Sequence, residues 1–146
     1  MSENHVTGKV IIVTGAAGGF GRLVCQKTAS LGAHIVACDV NEAELNETIR
    51  LITAAGGEGV AVIADVTSRA DMFKVVDHAI DGYSKIDVIV NNAGTMPLAF
   101  YEDHSEAADA WDRCIDINIK GVLNGINAVH DQMLKQGRGH VVNISS

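Results

Sequence analysis

No cluster of lysine or arginine stands out in this chain. Eleven Lys and Arg stand against eighteen Asp and Glu, a formal charge of −7. That balance argues against a nucleic-acid groove or an anionic membrane surface as partner. Cysteine is scarce: Cys25, Cys38 and Cys114 are odd in number, widely spaced and outside any CxxC pattern. They read as small core residues in a reducing compartment, not as a disulfide framework. The six histidines are scattered with no pair at zinc-ligand spacing, so no metal site is expected. The start, Met1-Ser2-Glu3-Asn4-His5, lacks a basic region followed by an apolar core, and no signal peptide is expected. No apolar run approaches the length of a membrane span. No internal repeat, low-complexity segment or interdomain linker interrupts the chain. These absences predict a cytoplasmic protein of one domain.

A length of 146 residues is enough to bury roughly two thirds of the unfolded surface. Hydrophobic residues at 47% and charged residues at 20% are ordinary for a globular core. The chain is organised around Thr14-Gly15-Ala16-Ala17-Gly18-Gly19-Phe20-Gly21. This stretch follows the apolar run Val10-Ile11-Ile12-Val13 and opens onto Arg22-Leu23-Val24-Cys25, which reads as the start of a helix. Glycines allow positive φ and remove the side chains that would hold a ligand off the backbone. Exposed N–H groups and the positive end of the helix dipole then favour a phosphate. The alternative is a tight strand-to-helix turn with no ligand, and the rest of the chain has to decide between them.

Apolar patterning places strands at Lys9–Val13, His34–Cys38, Gly59–Ala64, Ile86–Val90 and His140–Ile144. The first helix runs to about Leu31, with Phe20, Leu23, Val24 and Leu31 on one face and Gly32 as its stop. Asn41 with Glu44 resembles a capping box for a second helix, which turns Leu45, Ile49 and Ile52 inward and stops at Gly56-Gly57. Thr67 or Ser68 caps a third, where Met72, Val75, Val76, Ala79 and Ile80 form one stripe and Gly82 is the end. A looser stretch, Thr95–Glu106, holds the single proline, Pro97. From about Ala107 a long helical pattern carries Trp111, Ile115, Val122, Ile126 and Val129 and ends near Gly137. Strands alternating with helices imply right-handed crossovers and a parallel sheet covered on both faces.

Asp39 lies eighteen residues after Gly21 at the carboxyl end of the second strand. A carboxylate there can accept both hydroxyls of an adenosine ribose, or it can cap the helix that begins near Asn41. In the ribose reading it repels a 2′-phosphate. No Lys or Arg lies within the loop or immediately after Asp39 to reverse that, so the cofactor expected is NAD(H).

With these residues in place the chain resembles the short-chain dehydrogenase/reductase family, in its compact single-domain branch. The spacing TGxxxGxG at Thr14–Gly21 matches that branch, whereas sugar-nucleotide epimerases and dehydratases of the extended branch more often show TGxxGxxG. Asp65-Val66 matches the pair that holds the adenine ring in relatives, although Asp65 can also cap the helix after it. Asn91-Asn92-Ala93-Gly94 matches the NNAG signature that steadies the sheet and lines the cofactor cleft. Trp111-Asp112 and Asn118-Ile119-Lys120-Gly121 resemble the helix carrying the active-site asparagine. In relatives that residue distorts the helix locally and holds a water of the proton relay. His140–Ser146 resembles the fifth strand, whose second terminal serine, here Ser146, is catalytic.

The resemblance implies a Rossmann-type α/β fold, a doubly wound parallel sheet of about five strands. Residues 1–146 are expected to be one NAD-binding domain, incomplete at its C-terminal end. It assigns Asn118 and Ser146 to catalysis, and Gly15, Gly19, Phe20, Gly21, Asp39, Asp65, Val66, Asn92, Ala93 and Gly94 to the cofactor. Gly121 and Gly125 are expected to pack closely against the sheet or a partner subunit. The family's Tyr-x-x-x-Lys pair, which exchanges the substrate proton and lowers the tyrosine pKa, has no counterpart here. Tyr83 is followed by Lys85 at the wrong spacing, and Tyr101 has no lysine four residues on. The implied activity is hydride transfer between the nicotinamide and a small secondary alcohol or ketone, by a homo-oligomer (dimer or tetramer) when complete. A catalytically silent dinucleotide-binding fragment is the alternative, and a nucleotide-sugar epimerase or dehydratase is a third.

Overall fold

A computed structural model describes residues 4–145. Five parallel strands form one sheet: β1 (Val10–Thr14), β2 (His34–Asp39), β3 (Glu58–Ile63), β4 (Val88–Asn91) and β5 (His140–Asn143). Their spatial order is β3-β2-β1-β4-β5. The helices are α1 (Gly19–Ser30), α2 (Glu42–Ala54), α3 (Arg69–Tyr83), α4 (His104–Ile115) and α5 (Gly121–Gln136).

The sheet sits between two cores because β1 is apolar at every position and alternates its faces. Val10 and Ile12 join Val36, Met72, Val75, Val129 and Met133 under α3 and α5. Ile11 and Val13 join Ile35, Ala37, Cys25, Ala29, Leu45 and Ile52 under α1 and α2. Each fully buried Ile or Leu contributes about 1.5–3 kcal/mol relative to exposure, so this central strand is the most expensive place to alter. At the amino end of the sheet, buried Asp87 accepts from the Val10 N–H at 2.9 Å and pairs with Lys85 at 2.9 Å.

Several expectations need correction. Phe20 and Leu23 do not face the core: they are 75% and 60% exposed, and α1 buries Gly21, Cys25 and Ala29 instead. The small residues are inward because α1 packs close to the sheet, leaving no room for a phenyl ring. Gly82 does not end α3; the helix continues to Tyr83 and Ser84 takes the left-handed cap at φ 61°. The stretch read as loose contains a 3-10 turn at Tyr101–Asp103, and α4 starts at His104. Cys25 and Cys38 are buried, but Cys114 is a partly exposed neighbour of Thr95 and not a core residue.

The long helix is broken by a π-helical turn at Asp116–Lys120, which contains Asn118. Gly121 and Gly125 follow it, and both face the sheet side. A methyl at Gly121 would meet Val66 Cγ2 at 2.7 Å, and one at Gly125 would collide with Asn91 Oδ1. Strand β5 lies at the sheet edge with all four residues exposed.

Candidate functional site

In this strand order the crossover direction reverses between β1 and β4, and a crevice opens at their carboxyl ends. Thr14 closes β1 with its hydroxyl buried. That oxygen accepts from the Asn92 and Ala93 N–H groups, each at 3.0 Å. The Asn92 amide returns to the carbonyls of Thr14 at 3.0 Å and Gly15 at 3.2 Å. The ends of β1 and β4 are thereby tied side by side.

The glycines of the loop divide the work. Gly15 (φ +65°) turns the chain, and a methyl on it would lie 2.8 Å from Ala93 Cα. Gly21 is the tightest position: a methyl there would collide with the Gly15 carbonyl oxygen and lie 2.7 Å from Asn92 Nδ2. Gly19 (φ +51°) and Gly18 have open space around them. Phe20 projects from the outer surface of α1.

Asp39, the last residue of β2, is clamped by backbone donors. Its Oδ2 accepts from the Ala17 N–H at 3.1 Å and its Oδ1 from the Asn41 N–H at 3.0 Å. The cap of α2 is Asn41, whose side chain accepts from Glu44 N–H at 3.2 Å. Asp65 similarly accepts from the Thr67 N–H and hydroxyl at 2.9 and 2.8 Å, while Ser68 caps α3. Neither aspartate is the cap itself.

Gly15, Asp39, Asp65, Val66, Ala93 and Gly94 line one pocket of about 150 Å³. Val40, Ala64, Arg113 and Ile117 complete its wall. Sequence reasoning missed all four; Val40 and Ala64 simply adjoin Asp39 and Asp65, while Arg113 and Ile117 come from the helix. The spacing of four between Arg113 and Ile117, immediately before Asn118, is the helical signal that places those two on one face. Gly19, Phe20, Gly21, Asn92 and Asn118 do not line this pocket.

Asn118 stands across the crevice mouth from Gly94 and binds Thr95 twice. Its Oδ1 accepts from the Thr95 N–H at 2.9 Å, and its Nδ2 donates to the Thr95 carbonyl at 2.8 Å. It is exposed, and its Nδ2 also donates to Cys114 Sγ at 3.3 Å, one turn earlier. Ser146 lies outside the described residues. No group of three or more metal-ligating side chains occurs among the described residues. No helix among them is long and apolar enough to cross a membrane.

Comparison with known proteins is consistent with this geometry. The family model described as short chain dehydrogenase matches residues 9–146. An uncharacterized oxidoreductase of Listeria monocytogenes is 41% identical over 141 residues, covering 97% of this chain and 56% of the relative. The chain spans about half the length of the curated relatives it matches. Among solved structures, a short chain dehydrogenase/reductase from Burkholderia phymatum in complex with NAD superposes with a TM-score of 0.90 at 35% identity, over 97% of this chain and 50% of that one. A metagenomic short-chain oxidoreductase in complex with NADP superposes at 0.88 and 32% identity, over 97% of this chain and 63% of that one. Neighbours of this fold therefore hold either dinucleotide. From residue 9 onward, with its sheet order and its glycine loop, the chain belongs to the short-chain dehydrogenase family.

Proposed function

We propose that this chain is the dinucleotide-binding part of an NAD(H)-dependent oxidoreductase acting on a secondary alcohol or ketone. The observation that carries the reading is Asp39 at the end of β2, lining one pocket with Gly15, Asp65, Ala93 and Gly94. The residues fit such a cofactor. Gly15 and Gly21 let the loop pack against Ala93 and against itself, and nothing stands where methyl groups at Gly18 and Gly19 would go, so the loop surface is open for a diphosphate. Asp39 would accept from the adenosine ribose hydroxyls, and Asp65 with Val66 would border the adenine. Gly19, Phe20 and Gly21 would present the start of α1 to the diphosphate, and Asn92 would hold the loop in register. Arg113 and Ile117 would close the adenosine side. The nicotinamide, when bound, supplies the hydride chemistry.

Asn118 and Ser146 are the chain's own catalytic candidates, the serine to polarise a carbonyl and the asparagine to order the proton path. Neither tyrosine among the described residues is placed to exchange the proton. Tyr83 stacks on His34 at 4.9 Å, at the opposite end of β2 from the crevice. Burial, reinforced by Glu58, pushes its hydroxyl up to about 12. Tyr101 is 88% exposed beside Trp111. These positions favour a second reading for residues 1–146 alone: one dinucleotide-binding domain, incomplete on the substrate side, that binds without turnover. A cytoplasmic homo-oligomer completed by further residues is the proposed whole.

Calorimetric titration of the chain with NAD tests the binding half. Asp39→Ala should weaken NAD by roughly 30- to 1000-fold, the loss of hydrogen bonds to a charged acceptor worth about 2–4 kcal/mol, and narrow the gap to NADP. Unchanged selectivity would sink the ribose assignment. The full reading frame, assayed with secondary alcohols by absorbance of reduced nicotinamide, tests the chemistry.

A further inference from the structure

Arg22 is the first charged residue after the glycine loop, and its guanidinium is already engaged. Nε donates to Thr48 Oγ1 at 2.9 Å, and Nη2 donates to the Ala17 carbonyl and to the Glu44 carbonyl at 2.9 Å. The same Nη2 pairs with Glu44 Oε2 at 2.7 Å. The hydroxyl of Thr48, fully buried, donates a hydrogen bond to the Ala16 carbonyl at 2.8 Å. Ala17 is thus held from both sides, its carbonyl by Arg22 and its N–H by Asp39. A guanidinium lies one peptide unit from the carboxylate assigned to the ribose, and Glu44 covers its charge.

We propose that Arg22 is a cofactor-selectivity residue masked by Glu44, and that this pair together with Asp39 keeps the ribose 2′ position closed to a phosphate. The inference rests on the dinucleotide reading above. Asp39 and Glu44 against Arg22 leave one net negative charge around Ala17. A 2′-phosphate would bring about two more at neutral pH. Removing the Glu44 charge brings the local sum to zero, and removing that of Asp39 as well makes it positive. Glu44→Gln keeps the backbone carbonyl and a side-chain oxygen as acceptors for Arg22, so the loop retains its anchor while the net negative charge is cancelled. Glu44 acts through Arg22 and is a positioning residue; Arg22 is the charge that the phosphate meets.

The test is the ratio of NAD to NADP dissociation constants by calorimetry, in the chain and in its variants. A melting curve for each variant confirms folding. Glu44→Gln should shift the ratio toward NADP by about fivefold or more, and by about tenfold or more in an Asp39→Asn background. The shift should shrink in high salt. Adding Arg22→Met should abolish it, whereas adding Lys27→Met, an exposed charge of α1 outside the pocket, should leave it, and Glu44→Asp should keep the original ratio. A gain that survives Arg22→Met, or a ratio unmoved by Glu44→Gln, overturns the inference while leaving NAD binding intact. A chain that binds neither dinucleotide overturns the cofactor reading and this inference with it.

Discussion

Alanine at the three glycines ahead of and within the first turn of α1 should produce three different penalties, because the structure constrains each differently. At Gly18 the backbone is extended (φ −166°) with open space where a methyl would go. The substitution changes only an N-cap without a side-chain hydrogen bond and should cost no more than about 0.5 kcal/mol. At Gly19 space is also open, but φ is +51°. A non-glycine residue in that region costs about 1–2 kcal/mol from its own backbone. At Gly21 φ is unremarkable and the obstacle is steric. A methyl would collide with the Gly15 carbonyl oxygen and lie 2.7 Å from Asn92 Nδ2. Neither neighbour is the free end of a flexible chain: one is backbone, and the other is bonded to two carbonyls. Relief requires α1 to move off the loop or the β1–β4 tie to break. Overpacking of about 1–3 kcal/mol plus a lost hydrogen bond of about 1 kcal/mol gives about 2–4 kcal/mol. Urea unfolding of the three variants under one set of conditions measures the series, and NAD titration should lose most affinity at Gly21→Ala. Equal midpoints for Gly18→Ala and Gly21→Ala would refute the steric account.

Two further perturbations probe opposite ends of the sheet. Burial opposes ionisation of Asp87, but Lys85, the Val10 N–H and Lys9 overcome it and hold its carboxyl below the ordinary value of 3.8. A lowered folded pKa makes the contribution fully present above the ordinary value and removes it as pH falls through the folded one. Asp87→Asn should therefore lower stability at neutral pH by about 1–3 kcal/mol and flatten the acid limb of a plot of melting temperature against pH; an unchanged limb would disprove the assignment. Asn118→Ala should remove both Thr95 hydrogen bonds and cost about 1 kcal/mol. Amide exchange at Thr95 should quicken, while exchange in β1 should not.

The strands were legible because each is a short apolar run bounded by glycine or by an acidic or amide residue, and β1 alternates between two cores that sequence periodicity also implies. The inward face of α1 was not legible. Patterning rewards large apolar residues, whereas a helix pressed against a phosphate-type loop buries glycine, cysteine and alanine and leaves Phe20 and Leu23 outside. Ser84 was missed for a related reason: glycine is the usual left-handed cap, but Gly82 lies one residue inside the end of α3. At the site, Asp39 and NNAG were readable because they end strands, where position follows from spacing. Arg113 and Ile117 were not, since they reach the pocket from a helix whose orientation depends on the π turn beyond it. Arg22 was legible only as part of the helix start, since its four acceptors come from the loop and from α2.

The binding surface proposed for the dinucleotide is the sheet's own carboxyl edge, not a loop added to it. Thr14 and Asn92 spend their polar groups on holding β1 and β4 together, and the same bonds set the width of the crevice. Arg22 and Thr48 do the equivalent for the loop, turning the Ala16 and Ala17 carbonyls toward α2. With those carbonyls turned away, the bare glycine backbone can face a diphosphate without repelling it. The proton-transfer candidates have no such support: Asn118 is exposed and fastens to a segment instead of to the sheet. In the proposed reading, a rigid edge that would fix the cofactor could serve different substrates, provided that the proton machinery is positioned separately. The first part is built into the core through Thr14 and Asn92, whereas among the described residues Asn118 holds only Thr95 and Cys114.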